Sequence, residues 1–227
     1  PLIKAKNVLL TPHLGASTHE AKVGVSTGIC RQIKDFIIDE KLSNPLNMPI
    51  TDLAELKKIA PFLDLAETMG KIEAQLIDMP VKSVSVECFG SIEGSKPIAL
   101  SFLMGLFYGM TDNRINFVNA GVIAEERGIS FSHSINSEAV SFANLIVAHV
   151  TTDNGTLEVA GSVFGDRHPR IVDIMGYELD VRPEGNMLFM KNKDVPGVIG
   201  KVGLALGDGG VNIAEYLLGR TSRRRPG

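Results

Sequence analysis

One stretch of this sequence has residue types and spacing suited to chemistry: Asn7-Val8-Leu9-Leu10-Thr11-Pro12-His13-Leu14-Gly15-Ala16-Ser17-Thr18. Pro12 fixes the approach of the chain to His13, and Gly15 lets it turn sharply afterwards. An imidazole held there can take a proton from a hydroxyl, or return one to a carbonyl oxygen, near neutral pH. On residue types alone, His13 can equally be a histidine that caps or braces its loop. No other nucleophile–base pattern stands beside it. The two cysteines, Cys30 and Cys88, are far apart and lack metal-ligand spacing, so reduced, buried thiols and no metal are expected.

The elements that must position His13 are a strand over the apolar run before Pro12 and a helix directly after Gly15. Ser17 is expected to cap that helix, with Glu20 three residues on completing a capping box. Ala21, Val25, Ile29, Ile33, Phe36 and Ile37 recur at helical spacing, which predicts a buried face. The two prolines of Asn44-Pro45-Leu46-Asn47-Met48-Pro49 mark a linker over 44–52. Beyond it, Asp52 is expected to cap a helix reaching Leu76, kinked or sectioned at Pro61.

Val84, Val86 and Cys88 alternate with Ser83, Ser85 and Glu87, as in a strand. The run 97–109 is apolar nearly all round and suits a buried helix. A short helix is expected from an Asn119 cap to Arg127, stopped by Gly128. Asp153-Asn154-Gly155 lies between two β-like runs, a hairpin signal, and further strands are expected over 170–174 and 178–181. Helix first and mostly antiparallel strands afterwards make the class α+β. A β-α-β unit closes the chain: a strand over 186–191, a helix from Pro196 to Leu206 and a strand over 211–218.

The chain has 227 residues, 44% of them hydrophobic and 22% charged, with a net charge of -3. That balance argues against nucleic-acid or membrane partners. Arg223-Arg224-Arg225 reads as the solvated edge of a hairpin. The longest apolar stretch is too short to span a bilayer, and no secretory signal is evident, so a cytoplasmic location is expected. Asn154-Gly155-Thr156 is formally a glycosylation sequon but reads better as a turn.

The string around His13 closely resembles the end of the catalytic core of D-2-hydroxyacid dehydrogenases, the D-3-phosphoglycerate dehydrogenase branch in particular. The resemblance implies an acid/base role for His13 in NAD-linked hydride transfer. The family's partner carboxylate, its substrate-binding arginine and its glycine-rich nucleotide loop have no counterpart here. The chain is therefore expected to be the C-terminal, regulatory part of a longer enzyme, inactive alone, with NAD bound only by the longer parent.

Val118-Asn119-Ala120, 124–128, 161–165 and the run 170–182 resemble the allosteric substrate-binding domain of the long-form enzymes. The match implies phosphate binding by Arg170 and Arg182. Two guanidinium groups on neighbouring strands can converge on one phosphate, with His168 as a third donor; an ordinary surface pair is the alternative. His133 and His149 read as structural. The segments 189–200 and 210–214 resemble the ACT domain, a ferredoxin-like amino-acid sensor, here truncated. Asn192, Asp194 and Asn212 fall on its effector positions, with Asp194 suited to an ammonium group and the helix start at Gly197 to a carboxylate.

The implied domains are 1–43, a remnant of the NAD-binding and catalytic core; 53–185, the allosteric domain; and 186–227, the ACT domain. The implied parent oxidises 3-phospho-D-glycerate to 3-phosphohydroxypyruvate, the first step of L-serine biosynthesis. It is a cytoplasmic homotetramer whose effectors are phosphate compounds or L-serine. Two alternatives remain: a stand-alone sensing and oligomerisation module, and an iron–sulfur L-serine dehydratase subunit.

Overall fold

The computed structural model describes residues 4, 6–48, 50, 53–92, 94–111, 114–137, 141–165, 167–193 and 195–221. The chain divides into two compact units, one of 1–46 with 50–56, the other of 47–49 with 57–227. Asp52, Asp194 and Arg223 to Arg225 lie outside the described residues, and with them the cap, effector and hairpin-edge roles expected of them.

In the first unit, residues 8–14 run without strand pairing, so the expected N-terminal strand does not form. A strand exists only through a ladder partner, and among the described residues this segment has none. Helix α1 spans His19–Asp39 and is capped by Thr18, one residue later than expected; the Thr18 hydroxyl accepts from the Ala21 N–H at 3.2 Å. Glu20 therefore sits in the first turn, where backbone N–H groups and the Thr18 hydroxyl hold its carboxyl below the usual range. No residue of α1 is buried, and Val25, Ile29, Ile33, Phe36 and Ile37 are all exposed. The helical period was legible; its burial depends on a neighbour that the described residues do not supply.

The second unit is built on a mixed sheet of seven strands: β1 Ser83–Gly90, β2 Ser130–Asn136, β3 Asn144–Thr152, β4 Gly155–Phe164, β5 His168–Ile174, β6 Tyr177–Val181 and the two-residue β7 Arg220–Thr221. Their order is β2-β1-β3-β4-β5-β6-β7. Among the described residues only β1 and β2 pair in parallel, joined by a crossover that carries helices α3 Ser95–Leu106 and α4 Ala120–Glu126. From β3 to β6 the strands form an antiparallel meander. The class is α+β, as the sequence implied.

Alternation along β1 and β3 puts Val84, Val86, Cys88, Ile146, Ala148 and Val150 on one buried face. Helix α2, Leu53–Leu76, runs unbroken through Pro61. Leu65 and Met69 of α2 lie against Gly161 of β4, and α3 packs on β1 and β2. The two helices touch backbone to backbone at Gly70 and Gly105. A Cβ on Gly105 would fall 1.9 Å from the Glu67 carbonyl oxygen, and one on Gly70 would fall 2.2 Å from that of Phe102. The same helix carries Glu73, fully buried, with neither carboxylate oxygen in a hydrogen bond among the described residues.

Three details depart from the sequence reading. Asn119 does sit at the N-cap of α4, yet its side chain makes no cap bond; it accepts from the Asn116 N–H at 2.7 Å and donates to the Arg114 carbonyl. Cys30 is exposed, whereas Cys88 is buried and its thiol is pushed up to about 12 by that burial. In the last segment only the helix of the expected β-α-β unit forms, α5 at Val198–Asp208. Residues 186–191 and 211–218 have no ladder among the described residues, and Arg220–Thr221 alone reaches the sheet, on β6.

Asn144 anchors the start of the meander. Its amide donates to the Val163 carbonyl at 2.9 Å and accepts from the Val163 N–H at 2.8 Å and from the Ser162 hydroxyl at 3.1 Å. Asn144→Ala leaves the Val163 N–H and carbonyl without these partners, while the Ser162 hydroxyl keeps its 2.8 Å bond to the backbone carbonyl of residue 144. A loss of about 2–3 kcal/mol in urea unfolding is expected, and a change under half a kcal/mol would show that water replaces the amide.

Candidate functional site

His13 stands on an open loop of the first unit. The Ser17 N–H donates to the Leu14 carbonyl at 3.3 Å, and Ala16 adopts a left-handed φ of 55°, so the chain turns at once into α1. The imidazole is exposed and folds over Gly15, with Nε2 2.9 Å from the position a Cβ would take there. The close approach is to a mobile ring alone, so a side chain at position 15 would turn the imidazole aside rather than strain the backbone. Among the described residues no hydrogen bond or ion pair fixes the ring, so it is free to face an incoming hydroxyl or carbonyl.

The arginines lie in the second unit, Arg170 on β5 and Arg182 just past the end of β6. Ile171 pairs with Val181 across β5 and β6. One step further along that antiparallel register brings Arg170 and Arg182 to facing positions, with side chains opposite to the buried Ile171. His168, two residues before Arg170 on β5, points to the same side by strand periodicity and is exposed. Arg170 is three-quarters buried, and its Nε has no hydrogen-bond partner among the described residues. Its Nη1 lies 3.6 Å from Asp180 Oδ1, and Arg182 Nε lies 3.8 Å from Glu184 Oε1. Both separations are ion pairs too long for hydrogen bonds, so the guanidinium donors remain open to a better acceptor.

A third feature is a recess of about 310 Å³ at the start of α5, lined among others by Asn192, Lys193, Gly197, Val198, Tyr216 and Leu218. Gly197, with φ of 89°, forms the N-cap and leaves the first-turn N–H groups without a side-chain cap. Asn192 lines the recess; Asn212 does not. Tyr216 and Leu218 are residues the sequence did not single out, because nothing local says that 216–218 return to the loop before α5. Asp180 and Glu184 were also missed, although charges alternate through Glu178, Asp180, Arg182 and Glu184. His133 and His149 are structurally engaged: His133 Nδ1 lies 3.0 Å from the Ser95 hydroxyl, and His149 Nε2 lies 2.9 Å from Glu158.

A mixed sheet with one parallel pair, an antiparallel meander and helices packed against it defines an α+β domain. Residues 58–175 match the family model of the D-3-phosphoglycerate dehydrogenase intervening domain. The chain is similar to the D-3-phosphoglycerate dehydrogenase of Bacillus subtilis, 35% identical over 218 residues, covering 95% of this chain and 42% of that protein. It is 36% identical over 222 residues to that of Methanocaldococcus jannaschii, covering 97% and 42%. Against that of Archaeoglobus fulgidus it is 34% identical over 229 residues, covering 100% and 43%. The chain thus belongs to the D-3-phosphoglycerate dehydrogenase family and carries its intervening domain. It spans about two fifths of the length of these relatives. Among the described residues, no helix is long and apolar enough to cross a membrane.

Proposed function

We propose that this chain acts as the regulatory, C-terminal portion of an NAD-dependent D-3-phosphoglycerate dehydrogenase. The observation that carries the reading is the similarity, over nearly the whole chain, to enzymes of that name, together with the intervening-domain match. In this reading residues 1–43 complete a catalytic core, 53–185 form the allosteric domain and 186–227 an ACT-type domain. The assembled enzyme is a cytoplasmic homo-oligomer.

NAD, when bound by the longer enzyme, accepts the hydride; no Gly-x-Gly-x-x-Gly follows a strand in this chain, so no residue here is assigned to it. His13 takes the hydroxyl proton of 3-phosphoglycerate as the hydride leaves carbon, and returns it in the reverse direction. Arg170, Arg182 and His168 bind a phosphate-bearing effector, a reading supported by the 3.6 and 3.8 Å separations that leave the two arginines without a hydrogen bond to Asp180 and Glu184. Asn192, Asp194 and Asn212 bind an amino-acid effector, a reading to which the recess at Asn192 lends support.

Two assays test this. The chain alone should not reduce NAD with 3-phosphoglycerate. In an enzyme completed with a cofactor domain, His13→Asn should lower kcat by about 10²–10⁴ with the fold unchanged. Activity from the isolated chain, or an unaltered kcat in the variant, would contradict the proposal.

A further inference from the structure

The two arginines of the candidate effector site are not vacant. Each has a carboxylate close by: Asp180 of the neighbouring strand β6 lies 3.6 Å from Arg170, and Glu184, two residues further along the chain, lies 3.8 Å from Arg182. Both carboxylates are largely exposed, at 64% and 68%, so solvent screens them and neither pair is held tightly. Neither distance permits a hydrogen bond. The Arg170 Nε, buried and without a partner, shows that Asp180 neutralises the guanidinium without satisfying it.

We propose that Asp180 and Glu184 are built-in competitors that occupy the arginine pair loosely and set the concentration at which a phosphate group displaces them. The inference rests on the reading of Arg170 and Arg182 as an effector-anion site. A phosphate monoester brings three acceptor oxygens, enough to bond the outer guanidinium N–H groups of both arginines together. A single carboxylate on a short side chain offers no such span. In the ligand-free state each carboxylate swings within reach of its arginine; in the bound state both turn to water, where they are already mostly exposed. Arg170 is held on β5, and Arg182 directly follows the last paired residue of β6, so the exchange needs only side chains to move.

The experiment is calorimetric titration of the whole chain with inorganic phosphate, with sulfate and with 3-phosphoglycerate. Five proteins are compared at one ionic strength: wild type, Asp180→Asn, Glu184→Gln, the double variant and Arg170→Met. Each single neutralisation should tighten binding about two- to fivefold, as expected from releasing a weak exposed ion pair. The double variant should tighten it further, and Arg170→Met should abolish it. Equal tightening for sulfate would assign the effect to anion charge, and preference for the ester would assign it to the effector; both support the competitor role. Unchanged or weaker binding in the neutralised proteins, with Arg170→Met still defective, overturns the competitor role and leaves the anion site standing. Binding that Arg170→Met does not affect, or no binding in any of the five, overturns both.

Discussion

Gly105→Ala should unfold the second unit more readily than any surface change, by about 3 kcal/mol or more in urea denaturation. The added methyl would lie 1.9 Å from the Glu67 carbonyl oxygen and 2.8 Å from its carbon, both backbone atoms that no rotamer change can move. Relief requires α2 and α3 to part, and that lifts Leu65 and Met69 from their seat on Gly161. Gly70→Ala, aimed at Phe102 and Leu106 from the other side, should act similarly but not additively, because one separation of the helices relieves both. Gly121 in α4 supplies the control. Its Cβ would meet only the Leu100 side chain at 3.7 Å, so alanine there should stabilise by up to about 1 kcal/mol through helix propensity. Equal stability of Gly105→Ala and wild type would mean that the helix crossing is not as close as described.

The other large effect concerns Glu73. Burial, and to a lesser degree the Glu158 carboxylate, raise its carboxyl from 4.5 to about 9, while the nearby Val159 backbone favours the charged form without making a well-aligned hydrogen bond. Between those two values the folded chain keeps a proton that the unfolded chain has released. Stability is therefore greatest below the unfolded value, falls as pH rises from 4.5 toward 9, and levels off above it. Glu73→Met fills the same space without a charge. It should be more stable than wild type by about 2–4 kcal/mol near pH 8, with the advantage shrinking toward pH 5. Thermal or urea unfolding across that range decides it: a difference that does not vary with pH would mean that Glu73 is solvated.

Much of the second unit was legible because its signals are local. Alternation in Val84-Ser85-Val86, the Asp153-Asn154-Gly155 turn and the apolar run 97–109, whose helix ends earlier at Leu106, each specify an element without reference to the rest. What escaped depends on partners distant in sequence. Nothing near Asn186 or Val211 says whether a neighbouring strand will receive them, so both read as strands and neither pairs among the described residues. The α1 stripe read as buried for the same reason. His13 and the two arginines were singled out through family resemblance, whereas Asp180, Glu184 and Tyr216 come into view only from the strand pairing and the return of the chain past α5.

The strand order has a consequence for how the sheet assembles. Strands β3 to β6 follow one another through short turns, so each new ladder closes only a small loop. β1, in contrast, must wait for both neighbours to emerge beyond two helices, and its parallel contact with β2 closes around that whole crossover. The meander is thus the entropically inexpensive half of the sheet, and the β2–β1 edge its slow and costly completion. The last strands to join are the ones that α3 covers.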